Sequence, residues 1–251
     1  MKFSIVTCTW NSEPYLAQSI ASVLALDYPA IEYIFVDGGS TDGTLERIRA
    51  IPRPVRLIED ARGGVSRAMN LGIAAASGDV IAHLHSDDYY LDRDVLSRVA
   101  QALRSSGRLW AVGTCVADRD GRLEYPPSRP HPYSYFNYSA ARFNITHPAV
   151  FVRREVWREL GCFDETLRYA MDIDLWLRIG RRHQPVIVDA PLTAFRQHAG
   201  SLSTANVWAA RAEELRVRRK HAIFQPIGAA LGLARLGLYY RDQRKHHHQG
   251  A

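Results

Sequence analysis

The chain has 251 residues, 47% of them apolar and 23% charged, which excludes a disordered or low-complexity protein and allows one large domain or two small ones. Its three cysteines, Cys8, Cys115 and Cys162, are odd in number, far apart and without a C-x-x-C pair, which excludes a disulfide scaffold and a structural zinc site and points to a reducing compartment. The net charge of +6 lies wholly in Asn206 to Ala251, where nine basic residues face Glu213, Glu214 and Asp242, so the first 205 residues are neutral.

Met1 to Trp10 holds too short an apolar run for a signal peptide, and Lys2 to Cys8 reads as a buried strand. Leu16, Ile20, Val23 and Leu24 recur at helical spacing until Asp27-Tyr28-Pro29 stops the helix. Strands follow at Ile31 to Val36, Val55 to Ile58 and Val80 to Leu84, alternating with helices at Thr44 to Ala50, Ser66 to Ala76 and about Asp92 to Ser105. Strand-helix units in series predict a doubly wound, mostly parallel α/β sheet.

The second half is less regular. Trp110 to Ala117 and Arg122 to Tyr125 flank an Asp-Arg-Asp-Gly turn and predict a hairpin. Pro126 to Thr146 reads as a long functional loop. Beyond it come a strand (Ala149 to Val152), two helices (Arg154 to Leu160 and Asp172 to Gly180) and strands near Val186 to Val188 and Leu192 to Phe195. A composition shift near Asn206 predicts a boundary between a body, 1–205, and a basic amphipathic tail, 206–251, with helices at about Val207 to His221 and Ile227 to Tyr240. No stretch reaches the ~20 apolar residues that a membrane-spanning helix needs.

In an open parallel sheet, ligands bind beyond the carboxyl ends of the strands. That rule selects Thr7, Thr9 and Asn11; Asp37 to Thr44; Glu59 to Gly64; and His85 to Asp88. The first strand is not followed by G-x-G-x-x-G, nor does the chain carry a P-loop, which argues against a dinucleotide fold and a P-loop nucleotidase. The adjacent carboxylates Asp87 and Asp88 suit a hard divalent cation, and with it a nucleoside diphosphate.

Six collinear strings, "SIVTCTWN", "IEYIFVDGGSTDGT", "GGVSRAMNLGIAAASGDVIAHLHSDD", "THPAVFVRREVWRELGCFDE", "DIDLWLR" and "FRQHAGSLS", spread over roughly four-fifths of the chain. In them the sequence resembles the family 2 glycosyltransferases of the GT-A fold, and more narrowly their bacterial polysaccharide-type members. The resemblance implies a Rossmann-like nucleotide-binding half, an acceptor half and a C-terminal helical extension. It implies that Thr7, Asn11 and Asp37 line the nucleoside pocket, with Gly63, Gly64 and Asn70 nearby and Arg196 as a diphosphate partner. The family's D-x-D metal motif falls on His85-Ser86-Asp87, followed by Asp88, so that His85 replaces the first Asp. Together with His198 these are the expected ligands of Mn²⁺ or Mg²⁺, and a neutral imidazole suits Mn²⁺ better. The family's base falls on Asp172, at the start of a helix whose N-terminus would keep the carboxylate ionised.

The implied reaction is inverting, metal-dependent transfer of a sugar from a nucleotide diphosphate-sugar to a hydroxyl of a saccharide or lipid-linked acceptor, in surface-polysaccharide biosynthesis. The alternatives are a sugar nucleotidyltransferase and a non-catalytic saccharide-binding or assembly subunit of the same fold. Asp42 and Asp174 read as turn, cap or structural residues, and His147 as a packed loop histidine or an acceptor-site group. A nucleic-acid partner is not expected, because the basic excess lies outside the neutral body and is not interleaved with stacking aromatics. Apolar residues between basic clusters in the tail suggest an anionic membrane surface as partner, and a cytoplasmic enzyme peripheral on the inner face of the plasma membrane.

Overall fold

The computed structural model describes residues 1–126, 131–198, 200 and 206–249, with side chains through Arg241. Within it the chain begins with β1 (Phe3–Thr9), α1 (Glu13–Leu24), β2 (Ile31–Asp37), α2 (Thr44–Arg49), β3 (Arg56–Ile58), α3 (Val65–Ala75) and β4 (Val80–His83). These four strands pair in parallel in the order β3-β2-β1-β4. Each is apolar on both faces, as a sheet covered by helices on both sides requires. Phe3 and Ile5 of β1 point into a core with Leu16, Val23 and Phe35, and Val6 points the opposite way, onto Met69, Ile73 and Ile34.

The second half continues with β5 (Tyr89–Tyr90), α4 (Val95–Ser106), β6 (Trp110–Arg119), β7 (Arg122–Glu124), α5 (Tyr135–Ser139), β8 (Val150–Arg153), α6 (Arg154–Leu160), α7 (Met171–Arg182) and β9 (Val186–Arg196). It extends the sheet as β4-β8-β6-β9-β5, with β7 pairing on β6. β8 is antiparallel to both neighbours, while β6 and β9 are parallel. The result is an α/β fold of the GT-A kind, with an order reversal at β1 and β4. That reversal opens a crevice at the carboxyl ends of these two strands.

The β6–β7 hairpin forms as predicted, closed by Asp120 and Gly121, both at positive φ. Three features differ from the sequence reading. Within the expected 126–146 loop, of which 127–130 lie outside the described residues, a short helix α5 forms; the Ser134 hydroxyl caps it by accepting from Asn137 N at 3.0 Å. The two strands expected near 186 and 192 are one strand, β9, in which Pro191 sits at a register shift against Thr114. The two-residue β5 has too short a pattern to be read from the sequence.

The basic tail forms α8 (Val207–Lys220), a 3-10 turn (Ala222–Phe224) and α9 (Pro226–Gln249). It is docked on the body: Val217 belongs to the same core cluster as Trp176 and Leu175. Gly228 and Gly232 bring α9 against α5, where a Cβ at Gly232 would stand 2.3 Å from the Ser139 carbonyl oxygen. The side chains of Arg244, Lys245 and His246 to His248 lie outside the described residues, as do residues 199 and 201–203 of the last motif.

Candidate active site

At the end of β1 the polar residues are committed to one another. Thr7 is fully buried and donates its hydroxyl to the Tyr33 phenol at 3.4 Å. It presents no surface at the end of β1. The Thr9 hydroxyl donates to Asp37 Oδ2 at 2.7 Å, and the same oxygen accepts from the Ser40 hydroxyl at 2.6 Å. Asp37 Oδ1 accepts the Gly39 and Ser40 amides at 2.9 and 2.8 Å. A carboxylate has about four lone-pair sites, so the buried Asp37 uses its acceptors on Thr9 and on its own turn.

Asn11, at φ 48°, donates its amide to Ser40 Oγ at 2.8 Å and accepts from Thr41 N at 2.9 Å, zipping the two loops together. Between them Trp10 stands 70% exposed beside Gly38. The sequence reading passed over it; its signal was a large aromatic at a strand's carboxyl end. Gly63 and Gly64 lead into α3 at φ 116° and 96°, a region only glycine enters freely. Asn70 is engaged with the segment after α6: its amide donates to Phe163 O at 3.0 Å and Glu165 Oε1 at 2.9 Å, and its oxygen accepts Phe163 N at 3.0 Å. It clamps α3 to the segment after α6.

The four expected metal ligands part into separate groups. Asp87 Oδ2 and His198 Nε2 meet at 3.0 Å, with the His198 ring tilted on Tyr15 at 4.3 Å. Asp88 is fully buried; one oxygen accepts the Arg196 amide at 3.1 Å and Oδ2 has no partner among the described residues. Burial, with Asp87 beside it, pushes its carboxyl well above the usual range. His85 instead faces His147, ring centroids 4.9 Å apart, and burial pushes its imidazole down. Among the described residues no three His, Cys, Asp or Glu side chains converge as a metal-binding group. The Arg196 guanidinium lies over Tyr15 and Tyr89 at 5.0 and 5.4 Å and 3.6 Å from Asp118, and also donates to Gln18.

Rings join this group to the base candidate. His147 packs on His83, His85, Phe163 and, at 5.6 Å, Trp176, one turn beyond Asp172 on α7. Burial, helped by His83 and His85, holds His147 neutral well below its usual range, and drives His83 down to about 3. Asp172 is half-buried and accepts Ile173 N at 2.7 Å. Burial outweighs that bond and raises its carboxyl to about 6, which leaves it ionised at neutral pH. Asp174 is structural, as read: Arg178, Lys220 and His221 donate to it at 2.8, 3.1 and 2.9 Å, and these partners pull its carboxyl below the ordinary range despite its burial.

The comparisons fit this arrangement. The family model for "Glycosyl transferase family 2" matches residues 4–160. An uncharacterized glycosyltransferase of Mycobacterium tuberculosis strain H37Rv is 31% identical over 197 residues, 76% of this chain and 74% of that one. A Nostoc relative named likewise is 36% identical over 110 residues, 42% of this chain and 34% of its own. Among solved structures, Staphylococcus aureus TarS 1-349 with UDP-GlcNAc superposes with a TM-score of 0.74 at 20% identity, covering 89% of this chain and 66% of that one. The mannosyltransferase PcManGT of Pyrobaculum calidifontis, with GDP-Man and Mn²⁺, gives 0.68 at 20% identity, over 92% and 69%. With a matching family model across more than half its length and relatives named for the same reaction, the chain belongs to glycosyl transferase family 2 and is an enzyme of the glycosyltransferase class.

Proposed function

We propose that this enzyme transfers a sugar, with inversion, from a nucleoside diphosphate-sugar to a hydroxyl of a saccharide or lipid-linked acceptor in surface-polysaccharide assembly. The observation that carries the reading is Asp172, a half-buried carboxylate raised to about 6, on a helix packed through His147 against the strand end that bears Asp87 and Asp88. A base with that pKa is ionised at neutral pH yet basic enough to take a proton from a hydroxyl as it attacks. The acceptor oxygen bonds to the anomeric carbon, the bond from that carbon to the diphosphate oxygen breaks with its electron pair, and the hydroxyl proton ends on Asp172. Nucleoside diphosphate-sugars are what the TarS and PcManGT structures hold. Trp10, exposed beside Gly38, offers a flat apolar face for the base, and the Gly63-Gly64 turn offers backbone at α3.

The residues at the strand end suit a divalent cation, Mn²⁺ or Mg²⁺. Asp87 and His198 lie together, and the buried, unpartnered Asp88 Oδ2 is the kind of atom a cation satisfies. When bound, the cation supplies a Lewis acid for the departing diphosphate. His85 turns to His147. Calorimetric titration with UDP, GDP and TDP, each with Mn²⁺, with Mg²⁺ and with EDTA, tests the donor class; tight, metal-dependent binding of one nucleotide is expected. No binding to any of them, or release of pyrophosphate instead of nucleoside diphosphate from the donor, sinks the reading.

The tail supports a peripheral position on an anionic membrane at the cytoplasmic face. No helix among the described residues is long and apolar enough to cross a membrane. α9 is apolar on two sides: Gly228, Ala229 and Gly232 are covered, while Ile227, Leu231, Ala234 and Leu238, spaced i, i+4, i+7 and i+11, form a solvent-facing row flanked by Arg235 and Arg241. Cosedimentation with vesicles containing phosphatidylglycerol is expected, and loss of it in the triple variant Ile227→Ser, Leu231→Ser, Leu238→Ser. Equal sedimentation of the two, or none by the parent, removes the membrane from the account.

A further inference from the structure

The helix that bears Asp172 begins without a cap of its own. Its N-cap position is Ala170, which has no side-chain acceptor, so the amides leading into α7 need a partner from elsewhere. That partner is Glu213, 43 residues further on in α8 and buried at 7% exposure. Its Oε2 accepts the amides of Arg168, Tyr169 and Ala170 at 3.0, 2.5 and 2.8 Å. Three consecutive amides on one carboxylate oxygen form a tight anion cradle, placed where the positive end of the helix favours the charge.

The far end of α8 grips the same helix. Lys220 and His221 donate to Asp174, two residues beyond Asp172. Between the two grips Glu214 and Arg218 face Asp172 from α8, and Tyr138 faces it from α5. Arg218 donates to Glu214 at 2.8 Å and to the Tyr138 carbonyl at 2.9 Å, tying α8 and α5 together around the carboxylate. Asp172 thus sits on a segment held immediately before and immediately after by α8 and the residue that follows it. Residue 172 and this helix both lie outside the 4–160 stretch that defines the family.

We infer that Glu213 is a positioning residue for Asp172, so that the basic tail completes the active site rather than only decorating the body. The inference rests on the reading of Asp172 as base. Its physical content is that the Glu213 carboxylate fixes the backbone of 168–170, and with it where on the rim the Asp172 oxygens stand and how much water reaches them. A shift of about 1 Å in a catalytic group costs about a hundred-fold in rate.

The test uses the full chain and the variants Glu213→Ala, Glu213→Gln and Asp172→Asn. Turnover is read as release of nucleoside diphosphate from UDP-GlcNAc or GDP-Man with water as acceptor, whichever nucleotide the titration finds bound. Nucleotide affinity is read by calorimetry, and ionisation of Asp172 by its carboxyl carbon resonance. In Glu213→Ala, turnover is expected to fall about a hundred-fold with nucleotide affinity unchanged, and the Asp172 midpoint to move down from about 6 as water reaches it. Glu213→Gln, which keeps one accepting oxygen and the side-chain volume, is expected to fall between the two, and it carries the test should the alanine variant not fold. Unchanged turnover and midpoint with an inactive Asp172→Asn overturn the positioning role alone. Nucleotide affinity falling in step with turnover assigns Glu213 to general stability and overturns it as well. Full activity in Asp172→Asn overturns the base reading and this inference with it.

Discussion

Asp87 and His198 lie 111 positions apart in the chain and 3.0 Å apart in space. The antiparallel pairing of Tyr89 with Ala194 brings them together, because it leaves the residues just before β5 facing those just after β9. The contact is therefore a product of sheet register, and a register shift by one residue would turn both side chains away.

Each partner of that contact is expected to matter to cation-dependent nucleotide binding. Asp87→Ala and His198→Ala should each weaken binding of the preferred nucleoside diphosphate in Mn²⁺ by about ten-fold or more, with binding in EDTA unchanged. The double variant should lose less than the product of the two single losses, since the groups act as a pair. Calorimetry checks this, and strictly independent effects would place the cation elsewhere.

The pH dependence of turnover follows from Asp172. A base works deprotonated, and burial raises this carboxyl to about 6, so turnover should be level above neutrality and fall as the pH drops through about 6. Glu214 raises it further and Arg218 opposes this, so Glu214→Gln should move the acid limb to lower pH. A limb that stays in place in this variant would assign the titration to another group.

Asn70 separates a structural role from a binding one. Its three bonds to the 163–165 segment predict that Asn70→Ala lowers stability by about 2 kcal/mol while leaving nucleotide affinity unchanged. Denaturant unfolding and calorimetry on the same preparation check it; a loss of affinity without a loss of stability would return Asn70 to the pocket.

Much of the nucleotide half was legible because a sheet covered on both faces needs uninterrupted apolar strands, and Ile31 to Val36 or Val80 to Leu84 can hardly be read otherwise. The carboxyl-end rule then placed Asp37, His85 and Asp87 at the crevice. Three things were hidden. Tyr135 to Ser139 makes a helix inside a proline-rich stretch because Ser134 caps it, a signal a few residues long. Pro191 breaks the alternation of β9 although the strand runs on through it. How side-chain atoms are partnered cannot be read from residue types at all: Asp37 accepts the amides of Gly39 and Ser40 and the hydroxyls of Thr9 and Ser40, and Asn70 pairs with the Phe163 backbone and the Glu165 carboxylate. Glu213 was counted only as a tail charge, though the missing cap at Ala170 marked a vacancy for it.

Gly228 and Gly232 have a mechanical consequence for α9. Any side chain at Gly232 would collide with the α5 backbone at Ser139 and Ala140, so this helix packs closer to α5 than any other residue there would allow. The bearing of Ile227, Leu231 and Leu238 is thereby tied to α5, which Arg218 joins to α8 through the Tyr138 carbonyl. A surface gripped by that row meets the enzyme at one tilt. For a surface gripped by that row, the height of Asp172 above it is set by this packing.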